Sequence, residues 1–379
     1  MESTLKSVLR NIKNLEPCVH GGEVWEVANK TGLRREEILD FSSSVNPLGP
    51  SKKALESIKD NFDQIPSYPD SNSTALRTAI ANHFKRISKD NVVVGNGSTE
   101  LIYLFAETFM EKGDVALIPA PTFSEYSRAV AKVGGAPKHV RLSQNFQVNP
   151  SIFERKLSGA KIIFLCNPNN PTSILIPPGN LTEMVERALE ADVFVFLDED
   201  FLEFVDDEEH FSLIGKIKKF PNLFVLRSFT KIFGLTGLRV GYGIASEKII
   251  SILLNAKIPW NVNCLAQAAA IAALRDEEHL KITRDLIKGE KAFLMHELTQ
   301  IKAFKIFPAD ANFMLIDIRK SGYSAAQLKE RLLRYGILIR DCTSFRGLDE
   351  YYIRVAIKTR RENERLLEIC KKTVGNHAE

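Results

Sequence analysis

The sequence predicts an α/β protein built on a doubly wound, mainly parallel sheet, with a smaller α+β domain beside it. Two observations lead to this prediction. Short apolar runs rich in β-branched residues recur through the middle of the chain, and stretches of helical length separate them. The runs are too short for helices and too continuously apolar for strands with one exposed face. Strands of a parallel sheet buried on both faces have this pattern, and their alternation with helices indicates the doubly wound class.

The predicted elements follow these patterns in chain order. The strands of the large domain are NVVVGNG, DVALIPAP, AKIIFLCNP, VFVFLDED, NLFVLRSFT and RVGYGIAS, with helices at TELIYLFAETFMEKG and NLTEMVERALEAD. Towards the C-terminus we predict strands at FKIFPADANFMLIDI, ILIRDCTSF and YYIRVAI, and amphipathic helices at AAQLKERLLRYG and RRENERLLEICKKTV. We therefore expect a large domain over residues 51–285, a small domain over 286–379, and an N-terminal segment over 1–50 that packs near the small domain. A cleft between two domains is a common place for a ligand.

Composition and charge exclude several classes of protein. The chain has 379 residues, 44% of them apolar and 26% charged, which are values of a soluble globular protein rather than a disordered one. Its net charge of +4 is too small to indicate nucleic-acid binding. No apolar stretch approaches the roughly 18 residues that a membrane helix needs, and the N-terminus lacks the apolar region of a signal peptide.

The cysteines indicate neither a disulfide framework nor a metal site. Five of them are scattered along the chain and form no CxxC pair: Cys18, Cys166, Cys264, Cys342 and Cys370. Such spacing suits a protein of the reducing cytoplasm.

The segment SFTKIFGLTGLRVGY, residues 228–242, carries the strongest chemical signal. It follows an apolar strand, and ligands of open α/β sheets bind beyond the carboxyl ends of strands. The hydroxyls of Ser228 and Thr230 and the guanidinium of Arg239 suit a phosphate group. Lys231, set near that cation, is expected to have a depressed pKa and to serve as a nucleophile that forms a Schiff base. A plain polar turn is the alternative interpretation.

The loop GNGSTELIY is a second candidate for binding an anion. Ser98 and Thr99 stand at a predicted helix start, where free backbone N–H groups and the helix dipole favour negative charge. The dinucleotide fingerprint GxGxxG fails, because Glu100 stands in place of the third glycine. A nicotinamide-dependent dehydrogenase is therefore excluded.

Three further residues at strand ends complete the constellation. Asp198 ends the buried strand VFVFLDED and needs a cationic partner, for which a protonated pyridine nitrogen would serve. Asn170 in LCNPNNPT could donate to a phenolate oxygen, although turn chemistry alone could explain it. Phe123 in APTFSEY could stack on an aromatic ring or belong to the core. Together these groups match the chemical needs of pyridoxal 5'-phosphate.

The order GNGSTE, PTFSEY, NPNNPT, LDED, SFTK, GLRVGY resembles the aspartate-aminotransferase superfamily of pyridoxal-phosphate enzymes over nearly the whole chain. The resemblance implies that Lys231 binds the cofactor covalently, that Asp198 holds its pyridine nitrogen and that Asn170 holds its ring oxygen. Phe123 would stack on the ring. The phosphate would be held by Ser98, Thr99, Ser228, Thr230 and Arg239, and by Tyr68 of SYPD from the partner subunit of a homodimer.

Narrower resemblances point to one branch of that superfamily. HGGEVWEVANKTGL, ILDFSSSVNPLGP, IPWNVN and the tail beginning ILIRDCTSFRGLDE are similar to threonine-phosphate decarboxylases of cobalamin biosynthesis. That likeness implies decarboxylation of O-phospho-L-threonine to (R)-1-aminopropan-2-ol O-phosphate and carbon dioxide. Histidinol-phosphate aminotransferases share SFTK, GLRVG and the arginines of IRD and IRVAI, so an aminotransferase is the alternative. A non-catalytic protein that binds the cofactor is a further alternative.

The substrate expected from this likeness is a small phosphorylated amino acid. Arg340 and Arg354, on two predicted strands, would face the cofactor and bind an anionic group. His20 could donate to a phosphate, with Gly21 letting the backbone approach closely, and Asn170 would also contact substrate.

Two residues depart from the superfamily pattern. Phe201 stands where many aminotransferases have tyrosine, which removes a donor to the ring oxygen. Ser173 stands where relatives usually have glycine, which could alter the turn.

Overall fold

Thirteen strands and fourteen α-helices are found in the structure, a computed structural model that describes residues 10–13 and 15–375. The strands are β1 (Leu39–Asp40), β2 (Val92–Gly95), β3 (Val115–Ala120), β4 (Ala136–Arg141), β5 (Ala160–Cys166), β6 (Phe194–Asp198), β7 (Leu223–Ser228), β8 (Gly241–Ala245), β9 (Lys305–Ile306), β10 (Phe313–Asp317), β11 (Ile337–Leu338), β12 (Arg340–Asp341) and β13 (Tyr352–Ala356). The helices are α1 (Arg10–Lys13), α2 (Val24–Thr31), α3 (Lys52–Asp60), α4 (Thr74–Phe84), α5 (Ser98–Phe109), α6 (Glu125–Lys132), α7 (Pro150–Glu154), α8 (Pro178–Glu190), α9 (Glu208–Phe211), α10 (Glu247–Ala256), α11 (Cys264–Leu274), α12 (Glu277–Thr299), α13 (Ala325–Leu333) and α14 (Arg360–Gly375).

The large sheet has seven strands in the order β2-β8-β7-β6-β5-β3-β4. All pairs among β4, β3, β5, β6 and β7 are parallel, whereas β8 runs antiparallel to both of its neighbours. The doubly wound, mainly parallel fold is therefore confirmed, and the six strand segments predicted for it are strands. The sequence did not indicate β4, because its residues APKHVR carry proline and charge and lie half-exposed at the sheet edge.

Alternate residues of the central strands enter two different cores, one on each face of the sheet. Val92 and Val94 belong to the larger core and Val93 to the other. In the same way Ile163 faces the larger core, while Phe164 joins the second, aromatic core. Both side-chain sets are therefore withdrawn from water, which explains why the strands are apolar without interruption.

The C-terminal part of the chain forms a second, antiparallel sheet in the order β12-β13-β10-β9. A separate two-stranded parallel pair joins β1 to β11, with Leu39 opposite Ile337. Leu39 and Asp40 of the N-terminal segment are thus paired with the C-terminal part of the chain. The division into an N-terminal segment, a large domain and a small domain at residues 50 and 285 stays a prediction.

Several helices begin at side chains that cap their free N–H groups. Ser51 accepts from Ala54 N at the start of α3, and Asn263 accepts from Ala266 N at the start of α11. Ser324 and Gln327 form a reciprocal capping box on α13. Such caps are each worth about 1 kcal/mol and fix where a helix starts.

Among the described residues, no helix combines the length and apolar character needed to cross a bilayer. The interpretation of the N-terminus as lacking a signal peptide rests partly on residues 1–9 and 14, which lie outside the described residues.

Candidate active site

A cavity of about 140 Å³ lies between the carboxyl edge of the large sheet and the small antiparallel sheet. The structure brings residues from distant parts of the chain to its wall. Seven of those predicted from the sequence line it, namely His20, Gly21, Phe123, Asn170, Lys231, Arg340 and Arg354. This cavity is the candidate for the ligand cleft that the sequence predicts between two domains.

Lys231 lies in the turn that follows β7, three residues beyond Ser228. Its Nζ lies 3.9 Å from Asp200 Oδ2 and 5.1 Å from the centroid of the Phe201 ring. Burial lowers the pKa of the Lys231 amine, because the charged form loses solvation. An amine with a lowered pKa is closer to the neutral form that attacks a carbonyl.

Asp198 ends β6 and is buried. Its Oδ1 accepts from Asp200 N at 2.9 Å, and its Oδ2 accepts from the Tyr126 hydroxyl at 2.6 Å. Burial, together with the nearby carboxylate of Asp200, raises the pKa of Asp198 to about 7. A cationic ring nitrogen placed against this carboxylate would remove the penalty of burying its charge.

The loop before α5 packs tightly against the turn that carries Arg239. Gly97 has a φ of 82°, and a Cβ built on it would come within 2.4 Å of Arg239 Nη2. A Cβ on Gly241 would come within 2.5 Å of Ser98 N. Glycine at both positions therefore lets the N-terminus of α5 approach the neighbouring strand and the guanidinium.

The hydroxyl groups predicted for phosphate binding belong to the chain segments beside this loop. Ser228 is opposite Gly241 in the β7–β8 ladder, and Gly241 is in turn opposite Gly95 of β2. The Ser228 hydroxyl accepts from Thr230 N at 2.9 Å. With Ser98 and Thr99 beginning α5, free helix N–H groups, hydroxyls and Arg239 converge at one place.

Arg340 and Arg354 stand opposite one another on β12 and β13. Arg354 donates to Asn170 Oδ1 at 2.5 Å and to Ser42 O at 2.7 Å, while its Nε has no hydrogen-bond partner among the described residues. Burial lowers its pKa to about 10. Within the described chain neither guanidinium forms an ion pair with a carboxylate. Two buried cations without a counter-ion favour an anionic ligand.

The N-terminal segment closes one side of this cation pair. Arg340 donates to the backbone oxygens of Val19 and His20, at 2.8 and 3.1 Å. A Cβ on Gly21 would come within 2.1 Å of Ser42 O, so this glycine lets the segment pack against the chain near β1. The close approach at Gly21 is therefore made to the protein's own backbone, and an approach to a substrate phosphate stays a prediction.

The His20 ring is bound to Glu125, with Nε2 2.8 Å from Oε1. Burial alone would raise the pKa of Glu125, but its bonds with His20 and Tyr103 bring it down to about 2. The buried carboxylate thus stays charged and fixes the imidazole at the rim of the cavity. The Phe123 ring lies 6.0 Å from the imidazole, with its own edge contact to Tyr126.

Tyr68 is not brought to this cavity within one chain. Its side chain is 81% exposed and stacks on Trp260, with 4.6 Å between ring centroids. Its predicted role from a partner subunit stays a prediction.

Three residues at the site were not singled out by the sequence interpretation. Tyr126 binds Asp198, Glu125 binds His20, and Asp200 faces Lys231. Asp200 could have been suspected, since it follows Asp198 by two positions in LDED. Tyr126 and Glu125 follow Phe123 closely in PTFSEY, but only the tertiary fold reveals their partners.

The residues present fit the expected cofactor. Among the described residues the buried acid Asp198 forms no ion pair, and Asn170 keeps its amide nitrogen for donation because its oxygen accepts from Arg354. Glycine at position 97 lets the Arg239 guanidinium lie against the loop before α5, where free helix N–H groups are also present. An acid, an amide donor, an amine and a group of donors suited to an anion are therefore all present.

Comparison with known proteins gives a consistent family match. Residues 36–369 match the family described as aminotransferase class I and II. The histidinol-phosphate aminotransferase of Methanosphaera stadtmanae is 35% identical over 376 residues, covering 98% of this chain and 99% of that protein. A provisionally named threonine-phosphate decarboxylase of Caldanaerobacter subterraneus subsp. tengcongensis is 37% identical over 361 residues, 95% of each chain.

A solved structure shows the same fold. Histidinol-phosphate aminotransferase from Sinorhizobium meliloti in complex with pyridoxal-5'-phosphate matches the whole of both chains with a TM-score of 0.89, at 21% identity.

Proposed function

The chain belongs to the class I and II aminotransferase family of pyridoxal 5'-phosphate enzymes, and on this basis we propose that it decarboxylates O-phospho-L-threonine. The products are (R)-1-aminopropan-2-ol O-phosphate and carbon dioxide, as in the threonine-phosphate decarboxylases of cobalamin biosynthesis that the sequence resembles. The proposal concerns the specific reaction, since the family alone includes several.

The cofactor would be held by residues at the carboxyl edge of the large sheet. Asp198 would bind the pyridine nitrogen, Asn170 would donate to the ring oxygen and Phe123 would cover one ring face. Lys231 would supply the amine that reacts with the aldehyde. The cofactor phosphate would be held by Ser98, Thr99, Ser228, Thr230 and Arg239.

The observation that carries the choice of reaction is the Phe201 ring beside Lys231. The ring lies 5.1 Å from Nζ and packs on Phe313, at 4.9 Å between centroids. A phenyl ring gives no hydroxyl to the ring oxygen of the cofactor, so a proton on the lysine nitrogen is held more tightly. This favours a reaction in which Lys231 delivers a proton to the substrate's α-carbon over one in which it must first remove a proton.

The substrate phosphate is gripped by Arg340, Arg354 and His20 at the opposite end of the cavity. When bound, the cofactor withdraws electrons from the α-carbon bond that stands perpendicular to its ring. By fixing the phosphate, the two guanidiniums leave the substrate carboxylate free to take that position. Orientation of this kind lowers the barrier, because the reacting geometry is set before the reaction begins.

A second candidate function is histidinol-phosphate aminotransfer. The relative with that name from Methanosphaera stadtmanae covers nearly the whole chain. The same arginines would then bind the histidinol phosphate and, in the second half of the reaction, a dicarboxylic keto acid.

Product analysis separates the two functions. Purified holoenzyme is incubated with O-phospho-L-threonine and no keto acid, and carbon dioxide and aminopropanol phosphate are measured. We expect release of both, and none from Lys231→Ala. Fast amino transfer from histidinol phosphate to 2-oxoglutarate, without carbon dioxide release from phosphothreonine, would overturn the proposal.

We also propose that the protein acts as a homodimer. Large apolar side chains stand exposed on one stretch of the surface around the Tyr68–Trp260 stack, including Phe62, Ile65 and Ile258, the last 70% exposed. Exposed apolar patches of this kind mark interfaces. A second copy covering this face would bring Tyr68 towards the other protomer's cofactor phosphate.

A further inference from the structure

Asp200 is a buried carboxylate that faces the amine of Lys231. Its Oδ2 lies 3.9 Å from Nζ, and its Oδ1 accepts no hydrogen bond from any described residue. Only 9% of the residue is exposed. Buried carboxylate oxygens normally accept a hydrogen bond. A carboxylate oxygen that accepts none, beside a reactive amine, therefore indicates a function.

The position of Asp200 is fixed by hydrogen bonds of its own backbone and of the residues that precede it in the chain. Its N–H donates to Asp198 Oδ1 at 2.9 Å. The residue between them, Glu199, is bound elsewhere: it accepts from Arg227 Nε at 2.9 Å and from Leu213 N at 3.0 Å. With Glu199 anchored in this way, the turn after β6 leaves Asp198 and Asp200 as the two acids near Lys231.

Resting on the proposed decarboxylation, we propose that Asp200 is a positioning residue that keeps a proton on Lys231 Nζ, so that this nitrogen acts as the acid that protonates the substrate's α-carbon. The bond between the α-carbon and the carboxylate breaks, and carbon dioxide leaves. The electron pair of that bond stays with the α-carbon and takes up the proton from Nζ. Solvent then returns a proton to the amine.

The other charges around Lys231 show why a second carboxylate matters. Arg239 and Arg354 repel a charged amine, and burial lowers its pKa further. Asp198 attracts the charge, but its carboxylate is also the partner for the cofactor's ring nitrogen. Asp200, at 3.9 Å from the amine, is the carboxylate that remains to offset the two guanidiniums. Phe201 acts in the same direction, since it supplies no hydroxyl that would share the proton.

The test is a spectroscopic titration of the holoenzyme. The absorption band of the lysine-bound cofactor is followed against pH in the wild type, Asp200→Asn and Asp200→Glu. Because the lost charge lies close to the titrating nitrogen, we expect the midpoint of Asp200→Asn to fall by about one pH unit, with Asp200→Glu near the wild type. Asp317→Asn, which alters a comparably buried acid paired with Arg319 in the small sheet, is expected to leave the midpoint unchanged.

Kinetics of the same variants provide a second readout. For Asp200→Asn we expect kcat for carbon dioxide release to fall about tenfold, in proportion to the shift in proton affinity, with KM nearly unchanged. An unshifted midpoint in Asp200→Asn would overturn the inference, and if that variant does not fold, Asp200→Ser carries the same expectation. A shifted midpoint in an enzyme that releases no carbon dioxide would support the contact between Asp200 and Lys231 and reject the decarboxylase function instead.

Discussion

The Tyr126 hydroxyl donates a 2.6 Å hydrogen bond to Asp198 Oδ2, deep beneath the candidate active site. Tyr126 lies in the first turn of α6, which follows β3, while Asp198 ends β6. The bond holds the carboxylate in place and stabilises its charged form, which burial disfavours.

Removing this hydroxyl is expected to weaken cofactor binding. In Tyr126→Phe the carboxylate loses a hydrogen bond worth roughly 1.5–3 kcal/mol to a charged group, so the Kd for pyridoxal phosphate should rise about tenfold or more. This Kd is measured by titrating the cofactor-free protein with pyridoxal phosphate and following the absorbance. Tyr323→Phe, a buried tyrosine of the small domain, serves as control, and equal Kd values in both variants would contradict the prediction.

Asp198→Asn should stabilise the cofactor-free protein while abolishing its function. The pKa of Asp198 in the folded chain, about 7, lies above its ordinary value of 3.8. Folding therefore disfavours its charged form, and stability falls as pH rises from about 4 through about 7. At pH 8 the asparagine variant should be more stable by about 1–4 kcal/mol, an advantage that disappears near pH 4.

Thermal unfolding of the two cofactor-free proteins across this pH range measures the difference. A variant less stable than the wild type at pH 8 would show that the buried charge is compensated within the chain.

Ser173 allows a test of the glycine position in NPNNPTS. It has a φ of 64°, and its hydroxyl accepts from Ala311 N at 2.9 Å. Ser173→Ala keeps the left-handed backbone and leaves a buried N–H unpaired, so it should destabilise by about 1–3 kcal/mol. Ser173→Gly loses the same bond but relieves the backbone cost, so its loss should be smaller. Urea unfolding measures the free energy of unfolding of both variants. A Ser173→Gly variant that is less stable than Ser173→Ala would contradict the prediction.

Ile258→Glu is expected to separate the proposed dimer. A charge placed in an apolar interface must be desolvated without a partner, which costs several kcal/mol. Sedimentation equilibrium should show a monomer, and cofactor affinity should fall because Tyr68 no longer reaches across. Ile282→Glu, at an exposed position on α12, should leave the association unchanged. A wild-type monomer that binds the cofactor tightly would reject the dimer.

The central strands and the residues at their ends can be predicted from sequence, since burial on both faces produces continuous apolar runs. Asp198 ends one such run and Lys231 lies three residues beyond another, and the ends of parallel strands meet at one edge of the sheet. The edge strand β4 has only one strand neighbour and a half-exposed face, so its composition gives no comparable signal.

The hydrogen-bond partners of the site residues could not be predicted in the same way. Tyr126 and Asp198 are 72 positions apart, and His20 and Glu125 are 105 apart. No local pattern encodes such pairs, because they arise only when separate elements pack together. The sequence identified Phe201 as a departure from the superfamily pattern, but its contact with Lys231 is visible only in the tertiary structure.

The parallel pairing of Leu39 with Ile337 has a consequence for synthesis on the ribosome. A nascent chain can assemble its central sheet early, but β1 has no mate until almost all of the protein has been translated. The His20 backbone and Arg340 therefore also meet late, and an unfinished polypeptide can complete its central sheet before the proposed substrate side of the cavity is assembled.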